Sequence, residues 1–193
     1  MSKKKVYGKG IYTTGVYLSV LDGKHTLEYK RWRGMLQRCY NEPVRQAYKN
    51  TTICEDWLYF QNFASWWNLM GGNEHSRIDK DILIKDNKEY SPETCCLVPI
   101  RINSLIAREH SDKGDLPVGV TLHRSGSYSA RCTDENGIRR RLGNYSTPEE
   151  AHDVYRKAKK AAVLIVADEY EASGTISHTI AKKLREWEPP YGY

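Results

Sequence analysis

Tyr29, Trp32, Met35, Leu36 and Cys39 recur every three to four residues, the spacing of one buried helical face. This pattern predicts a helix stopped by Asn41-Glu42-Pro43, because proline drives the residue before it out of the helical region. Trp57, Phe60, Phe63, Ala64 and Trp67 form a second stripe, ended by Gly71-Gly72. Both stripes read as core, since large rings bury the most apolar surface. The periodicity then changes. Residues 77–84 read as a strand, Lys85-Asp86-Asn87-Lys88 as a turn, 90–98 as a Ser91-Pro92-Glu93-Thr94 loop with a short strand, and 100–108 as a helix. Ahead of this unit, 1–28 read as a basic arm with short strands over 6–12 and 16–21, turned by Asp22-Gly23.

Further along, strand parity separates two faces. Tyr128, Ala130 and Cys132 share a packable face, while Ser129, Arg131 and Thr133 share a polar one. Glu135-Asn136-Gly137 is a hairpin signal, because Asn and Gly tolerate the positive φ of a tight turn. In the return strand, 138–145, Arg139 and Arg141 project to one side, and Arg140 and Leu142 to the other. Ser146 or Thr147 offers a hydroxyl cap, Pro148 suits a first helical turn, and Glu149 and Glu150 suit the positive end of a helix dipole. The helix predicted here runs to Ala172 and stops at Ser173-Gly174. Its stripe of Ala151, Val154, Tyr155, Ala158, Ala161 and Ala162 is expected to lie against the packable sheet face, leaving the arginine face for a partner. A last helix is read over 176–187, ended by Pro189-Pro190, with Trp187 packing on a neighbouring domain or marking a partner site.

The expected fold class is α+β. A middle unit spans 29–110, Ser111-Asp112-Lys113-Gly114-Asp115 forms a linker, a three-stranded sheet with its helix spans 116–172, and a C-terminal helix and tail span 173–193.

Composition narrows the function classes. With 193 residues the chain can bury a real core, and its net charge of +6 with a pI near 9.0 favours a polyanionic partner. No apolar run approaches the length of a membrane span, and Ser2-Lys3-Lys4-Lys5 leads into no signal-peptide core, so a cytoplasmic protein is expected. Five cysteines, an odd number without an export signal, argue for reduced thiols. Buried apolar cysteines are preferred over a structural zinc, because only Cys95-Cys96 are closely spaced. Phosphate-binding P-loop, nucleophile-elbow and dinucleotide patterns are missing, which sets those enzyme classes aside.

The segment 116–172 resembles the AP2 DNA-binding domain. The resemblance rests on Gly119-Val120, on Gly126, Tyr128 and Ala130 in the second strand, on Leu142-Gly143-Asn144-Tyr145, and on the helix start Thr147-Pro148-Glu149-Glu150-Ala151. It implies that the exposed sheet face lies in the DNA major groove, with contacts from Thr121, His123, Arg131, Thr133, Arg139 and Arg141. Thr121 and His123 stand where plant members carry arginines.

A second resemblance covers 29–106. It is carried by Trp32-x-Gly34-Met35-x-x-Arg38-Cys39-Tyr40, by Ile53-Cys54-x-x-Trp57-x-x-Phe60-x-x-Phe63-x-x-Trp66, by Ile78-Asp79-Lys80-Asp81-Ile82-Leu83, by Asn87-x-x-Tyr90-Ser91-Pro92-Glu93-Thr94-Cys95, and by Asn103. This set is similar to the HNH, homing-endonuclease-like (His-Me finger) proteins of bacteriophages, many of which carry an AP2-like domain behind the nuclease unit. The resemblance implies a ββα-metal unit in which a divalent cation stabilises the scissile phosphate while a histidine activates water. Asp79 then falls at a metal-ligand position, Asn103 at the helical motif position, Lys80 where the general-base histidine usually sits, and Thr94 in place of a loop-bracing Asn. An Asp79, Asp81 and Asn103 set would hold Mg²⁺ or Mn²⁺ through oxygen, with His75 or His110 as base, and Lys80 would instead clamp a phosphate.

The leading expectation is a metal-dependent, homing-type endonuclease acting on double-stranded DNA in the cytoplasm of a phage host. A DNA-binding regulator or anti-defence factor on a degenerate nuclease scaffold is the alternative. A protein-binding inhibitor, whose partner would be another protein, is the third.

Overall fold

The computed structural model describes residues 5–107 and 116–189. The linker expected at 111–115, the base candidate His110 and the tail beyond Pro189 lie outside these residues. The architecture is mixed α and β, with small sheets and six α-helices among the described residues. No helix among the described residues is long and apolar enough to cross a membrane. The chain divides into two compact units, Met1–Val98 and Pro99–Tyr193, so the boundary falls ahead of the helix read over 100–108.

The first unit begins with a small hairpin, β1 (Val20–Leu21) and β2 (Lys24–His25), turned by Asp22 and Gly23 at positive φ. It continues through α1 (Leu27–Tyr40), β3 (Thr52–Ile53), α2 (Glu55–Leu58), α3 (Phe60–Leu69), β4 (Ser76–Asp79), β5 (Glu89–Tyr90) and β6 (Cys96–Pro99). β3 pairs with β5 in parallel, and β4 pairs with β6. Trp32, Met35, Leu36 and Cys39 of α1 meet Trp57, Phe60, Phe63, Ala64 and Trp67 in one core, so both aromatic stripes are buried faces. The Trp32 indole N–H donates to the Trp57 carbonyl at 2.8 Å, satisfying the one polar atom a buried tryptophan carries.

Three expectations for this unit are corrected. The second stripe is two helices, broken at Tyr59: Ile11 donates to Leu58 O at 2.7 Å and accepts from Phe60 N at 3.0 Å. An inserted strand-like segment thus takes the backbone groups a continuous helix would use. The strands read over 6–12 and 16–21 shrink to isolated bridges, Val6 with Gly10 and Ile11 with Tyr59, and to the two-residue β1. Gln61 ties this N-terminal segment down, accepting from Tyr17 N at 3.1 Å and donating to Thr13 O and Tyr17 O at 3.1 and 2.8 Å. The strand read over 77–84 ends at Asp79, where the chain enters a turn.

The second unit contains α4 (Ile100–Ile106), β7 (Val120–Leu122), β8 (Tyr128–Thr133), β9 (Arg139–Tyr145), α5 (Pro148–Ala172) and α6 (His178–Glu186). β7, β8 and β9 form an antiparallel sheet in that order. Thr147 caps α5, accepting from Glu150 N at 3.2 Å, while the Glu150 carboxylate accepts from Thr147 N at 3.3 Å. This reciprocal pair satisfies donors that the first helical turn leaves open. Val120, Ala130 and Ala151 form the centre of the sheet–helix core, with Tyr128, Leu142 and Tyr145 packed around it. The helix turns differently from the expected stripe: Ala161 is exposed, while His152 and Lys159 are buried beside Ala151, Tyr155, Ala162 and Val166. One reason is that the His152 ring bonds Val118 O at 2.9 Å, which fixes that side of the helix against the strand entry. α4 joins this unit through Arg101, which donates to both carboxylate oxygens of Glu169 at 2.8 and 2.9 Å and to Glu135 O at 2.6 Å. The last helix is shorter than 176–187, and Trp187 at its end is half-buried.

Candidate functional site

Two sets of residues carry candidate chemistry, one in each unit. In the second unit, strand register decides which side chains share the outer sheet face. Arg131 lies opposite Arg141, Thr133 opposite Arg139, and Ser129 between Thr121 and Asn144. Residues directly opposite on neighbouring strands point to the same side. Thr121, Arg131, Arg139 and Arg141 are exposed and Thr133 is half-buried, so five of the six predicted DNA-contact positions lie on one face. The sixth, His123, stands just past β7 in the turn to β8, with its ring 2.9 Å from Ser125 Oγ.

A bulge shapes this face. Ala130 pairs with Gly143 and Arg131 with Arg141, which leaves Leu142 as an extra residue on β9. Without it, strict alternation from Arg139 and Arg141 would send Gly143 and Tyr145 outward. With it, Tyr145 returns to the core side opposite Tyr128, and Asn144 joins Thr121 and Ser129 on the outer face. Gly143 adopts φ +148°, a region essentially restricted to glycine, and a Cβ there would lie 2.8 Å from the Tyr145 hydroxyl. Sequence reasoning misses Asn144 because its side is set by the bulge; the Leu142-Gly143 pair is the signal that points to one.

The electrostatics of the two faces differ. Arg140, on the other side of β9, is neutralised by Asp134, with Nε 2.8 Å from Oδ2. Arg131, Arg139 and Arg141 form no ion pair with any described residue. Ser129, at the centre of its row, is only 3% exposed, and its hydroxyl finds no hydrogen-bond partner.

In the first unit the structure brings Asp79, Lys80 and Asp81 together in the turn after β4. Asp79 Oδ1 accepts from Asp81 N at 2.8 Å and from Ile82 N at 2.9 Å. This side-chain cap starts the turn and is why the strand stops there. Burial pushes the Asp79 carboxyl up from its ordinary pKa, while those two backbone N–H groups pull it partly back. Lys80 is 6% exposed, and its ammonium donates to Asp81 Oδ1 at 2.7 Å and to Asn87 O at 2.6 Å. It acts as an internal strut across the turn. Thr94 braces the following loop, donating to Glu89 O at 2.8 Å and accepting from Ser91 N at 3.2 Å. Asn103 is half-buried on α4 in the second unit, and His75 is exposed with Nε2 3.4 Å from Glu74.

These donors do not fit a divalent cation as they stand. One Asp79 oxygen already caps two amides, and a lysine ammonium occupies the Asp81 carboxylate. No group of three His, Cys, Asp or Glu side chains able to hold a metal occurs among the described residues. The cysteines are also disposed as core: Cys39, Cys95, Cys96 and Cys132 are buried and Cys54 is half-buried. Comparison with protein-family models, curated proteins and solved structures finds no match.

Proposed function

We propose that the chain binds double-stranded DNA through the outer face of the β7–β8–β9 sheet. The observation that carries this reading is the arginine face, which has no ion-pair partner among the described residues, with Arg131 directly opposite Arg141 and Arg139 beside Thr133. The dimensions agree. Strands lie about 4.8 Å apart, so a three-stranded sheet spans about 10 Å between its outer strands, and the major groove is about 12 Å wide. Arginine suits both tasks there, pairing with guanine edges through two donors and with phosphates through charge. Thr121, Thr133 and Asn144 add shorter hydrogen-bonding groups at the same level. The test is selection of duplexes from a random library by the purified protein, followed by mobility shift with Arg131→Gln and Arg141→Gln. Enrichment of a sequence whose binding depends on both arginines supports the reading, and equal retention of all duplexes by the double variant sinks it.

A second reading, cleavage of the bound duplex with a divalent cation, draws on the element order β4, turn, β5, β6, α4, the strand-loop-strand-helix order expected from the sequence, with Asp79 ending β4 and Asn103 on α4. For it, Lys80 must leave Asp81. Supercoiled plasmid incubated in Mg²⁺ or Mn²⁺ beside Asp79→Ala and Asn103→Ala tests it: nicking lost in both variants supports a nuclease, and binding without cutting leaves the DNA-binding reading alone.

A further inference from the structure

A second concentration of positive charge lies in the first unit. Arg31 Nη2 and Arg77 Nη1 both donate to the same carbonyl, Glu74 O, each at 3.2 Å. The shared acceptor draws two guanidinium groups together from α1 and β4. Arg77 Nη1 also donates to Ser76 O at 3.0 Å, and Arg31 lies 6.0 Å over the Trp67 ring. Arg38 follows Arg31 by seven residues, two turns along the same face of α1, and is flanked by the Tyr48 and Tyr90 rings at 5.7 and 5.6 Å. Nε of Arg31 and Nε of Arg38 are buried and have no hydrogen-bond partner. Burial, then the charges of Arg77 and Arg38, lower the Arg31 pKa, as expected of cations facing one another. No described carboxylate pairs with any of the three; the Glu74 side chain is turned to His75 instead.

Arg31 and Arg77, held to one carbonyl without a described counter-charge, repel one another, Arg38 adds to the positive charge that Arg31 faces, and the buried Nε donors of Arg31 and Arg38 stay unused. Neither aromatic contacts nor a backbone carbonyl neutralises them. We propose that Arg31 and Arg77, backed by Arg38, form a docking site for a phosphate group. The fork geometry of arginine matches two phosphate oxygens, and two forks sharing one anchor carbonyl are positioned to grip one tetrahedral anion. Two sources can supply it, a phosphodiester of the DNA backbone or free phosphate. The first rests on the DNA-binding reading above; the second does not.

The experiment has two arms on the full chain. In the first, thermal unfolding is followed in sodium phosphate and in sodium chloride of equal ionic strength, for the wild type, for Arg31→Gln/Arg77→Gln, and for Arg77→Lys, which keeps the charge but loses the fork. In the second, duplex affinity is measured across salt concentrations for the same proteins, with circular dichroism confirming their folds. A phosphate-specific rise in Tm that the double variant loses supports the site and identifies free phosphate as a ligand. A salt slope shallower by about 1 in the double variant, equal on all sequences, supports it and identifies a backbone phosphodiester. Should the double variant fail to fold, Arg77→Lys decides, with a weaker phosphate response expected. Should Tm shifts and salt slopes be identical in all folded proteins, the site does not exist. Loss of duplex binding in the sheet variants with the phosphate response intact separates the two readings.

Discussion

Arg131 and Arg141 stand directly opposite one another on neighbouring strands, two positive charges on one exposed face without a described carboxylate to pair with either. Like charges directly opposite one another destabilise a sheet. On the other side of β9, Arg140 has Asp134 at 2.8 Å, so the same strand neutralises one arginine and leaves two bare. The difference is what the proposed binding of a polyanion to this face leads one to expect.

Replacing both Arg131 and Arg141 with glutamine is therefore expected to reduce duplex affinity by at least about tenfold, equivalent to about 1.4 kcal/mol. Stability is expected to hold or rise slightly, because the repulsion is removed. Fluorescence anisotropy and a thermal melt check both halves. A double variant that binds as well as the parent, or that melts far below it, contradicts the functional assignment of this face.

Gly119 holds φ +81° at the entrance to β7, and a Cβ there would lie 2.2 Å from the Tyr155 ring. Tyr155 is buried, so it cannot swing away cheaply. Gly119→Ala is expected to destabilise the protein by about 2 kcal/mol or more, combining backbone strain with the clash. Denaturant unfolding measures it, and a loss under about 0.5 kcal/mol would mean that strand and helix separate more easily than their packing indicates.

The Asp79 carboxyl has its folded-state pKa raised by burial above the ordinary 3.8, so the folded protein holds this proton more tightly than the unfolded chain. Its contribution is fully present below the unfolded pKa and is lost as pH rises through the folded one. Relative to Asp79→Asn, which keeps an acceptor oxygen for the two amides, the wild type is expected to lose stability as pH climbs from below about 3.8. Paired stability curves against pH test this; parallel curves across that window rule it out.

Burial raises the thiol of Cys39 to a pKa of about 11 and that of Cys95 to about 12. Thiolate is the reactive form, so both are expected to resist disulfide-exchange reagents near pH 8 in the native protein and to react once it is unfolded. Mass spectrometry after a timed reaction reads this residue by residue. Rapid native labelling of Cys39 or Cys95 would show that the first core opens readily.

What the sequence by itself determined is the part governed by local periodicity. The stripes Trp32 to Cys39 and Trp57 to Trp67 mark buried faces because a helix repeats every 3.6 residues wherever it packs. The cap at Thr147 follows from one hydroxyl and one carboxylate three residues apart, and the side taken by Arg131, Arg139 and Arg141 follows from simple alternation. Tertiary structure decided whatever depends on a partner distant in the chain. Tyr59 breaks a helix because Ile11 takes its neighbours' backbone bonds, and Tyr145 turns inward because one extra residue, Leu142, is absorbed against Ala130 and Arg131. Asp79 and Lys80 look like site residues in sequence, yet the turn draws one into capping amides and buries the other, which pairs with the exposed Asp81. Arg31 and Arg77, forty-six positions apart by their numbers, meet only because α1 and β4 both approach the carbonyl of Glu74. Alternation and helical spacing are properties of a single segment, whereas bulges, inserted strands and shared acceptors are properties of pairs, and only the folded chain forms the pairs.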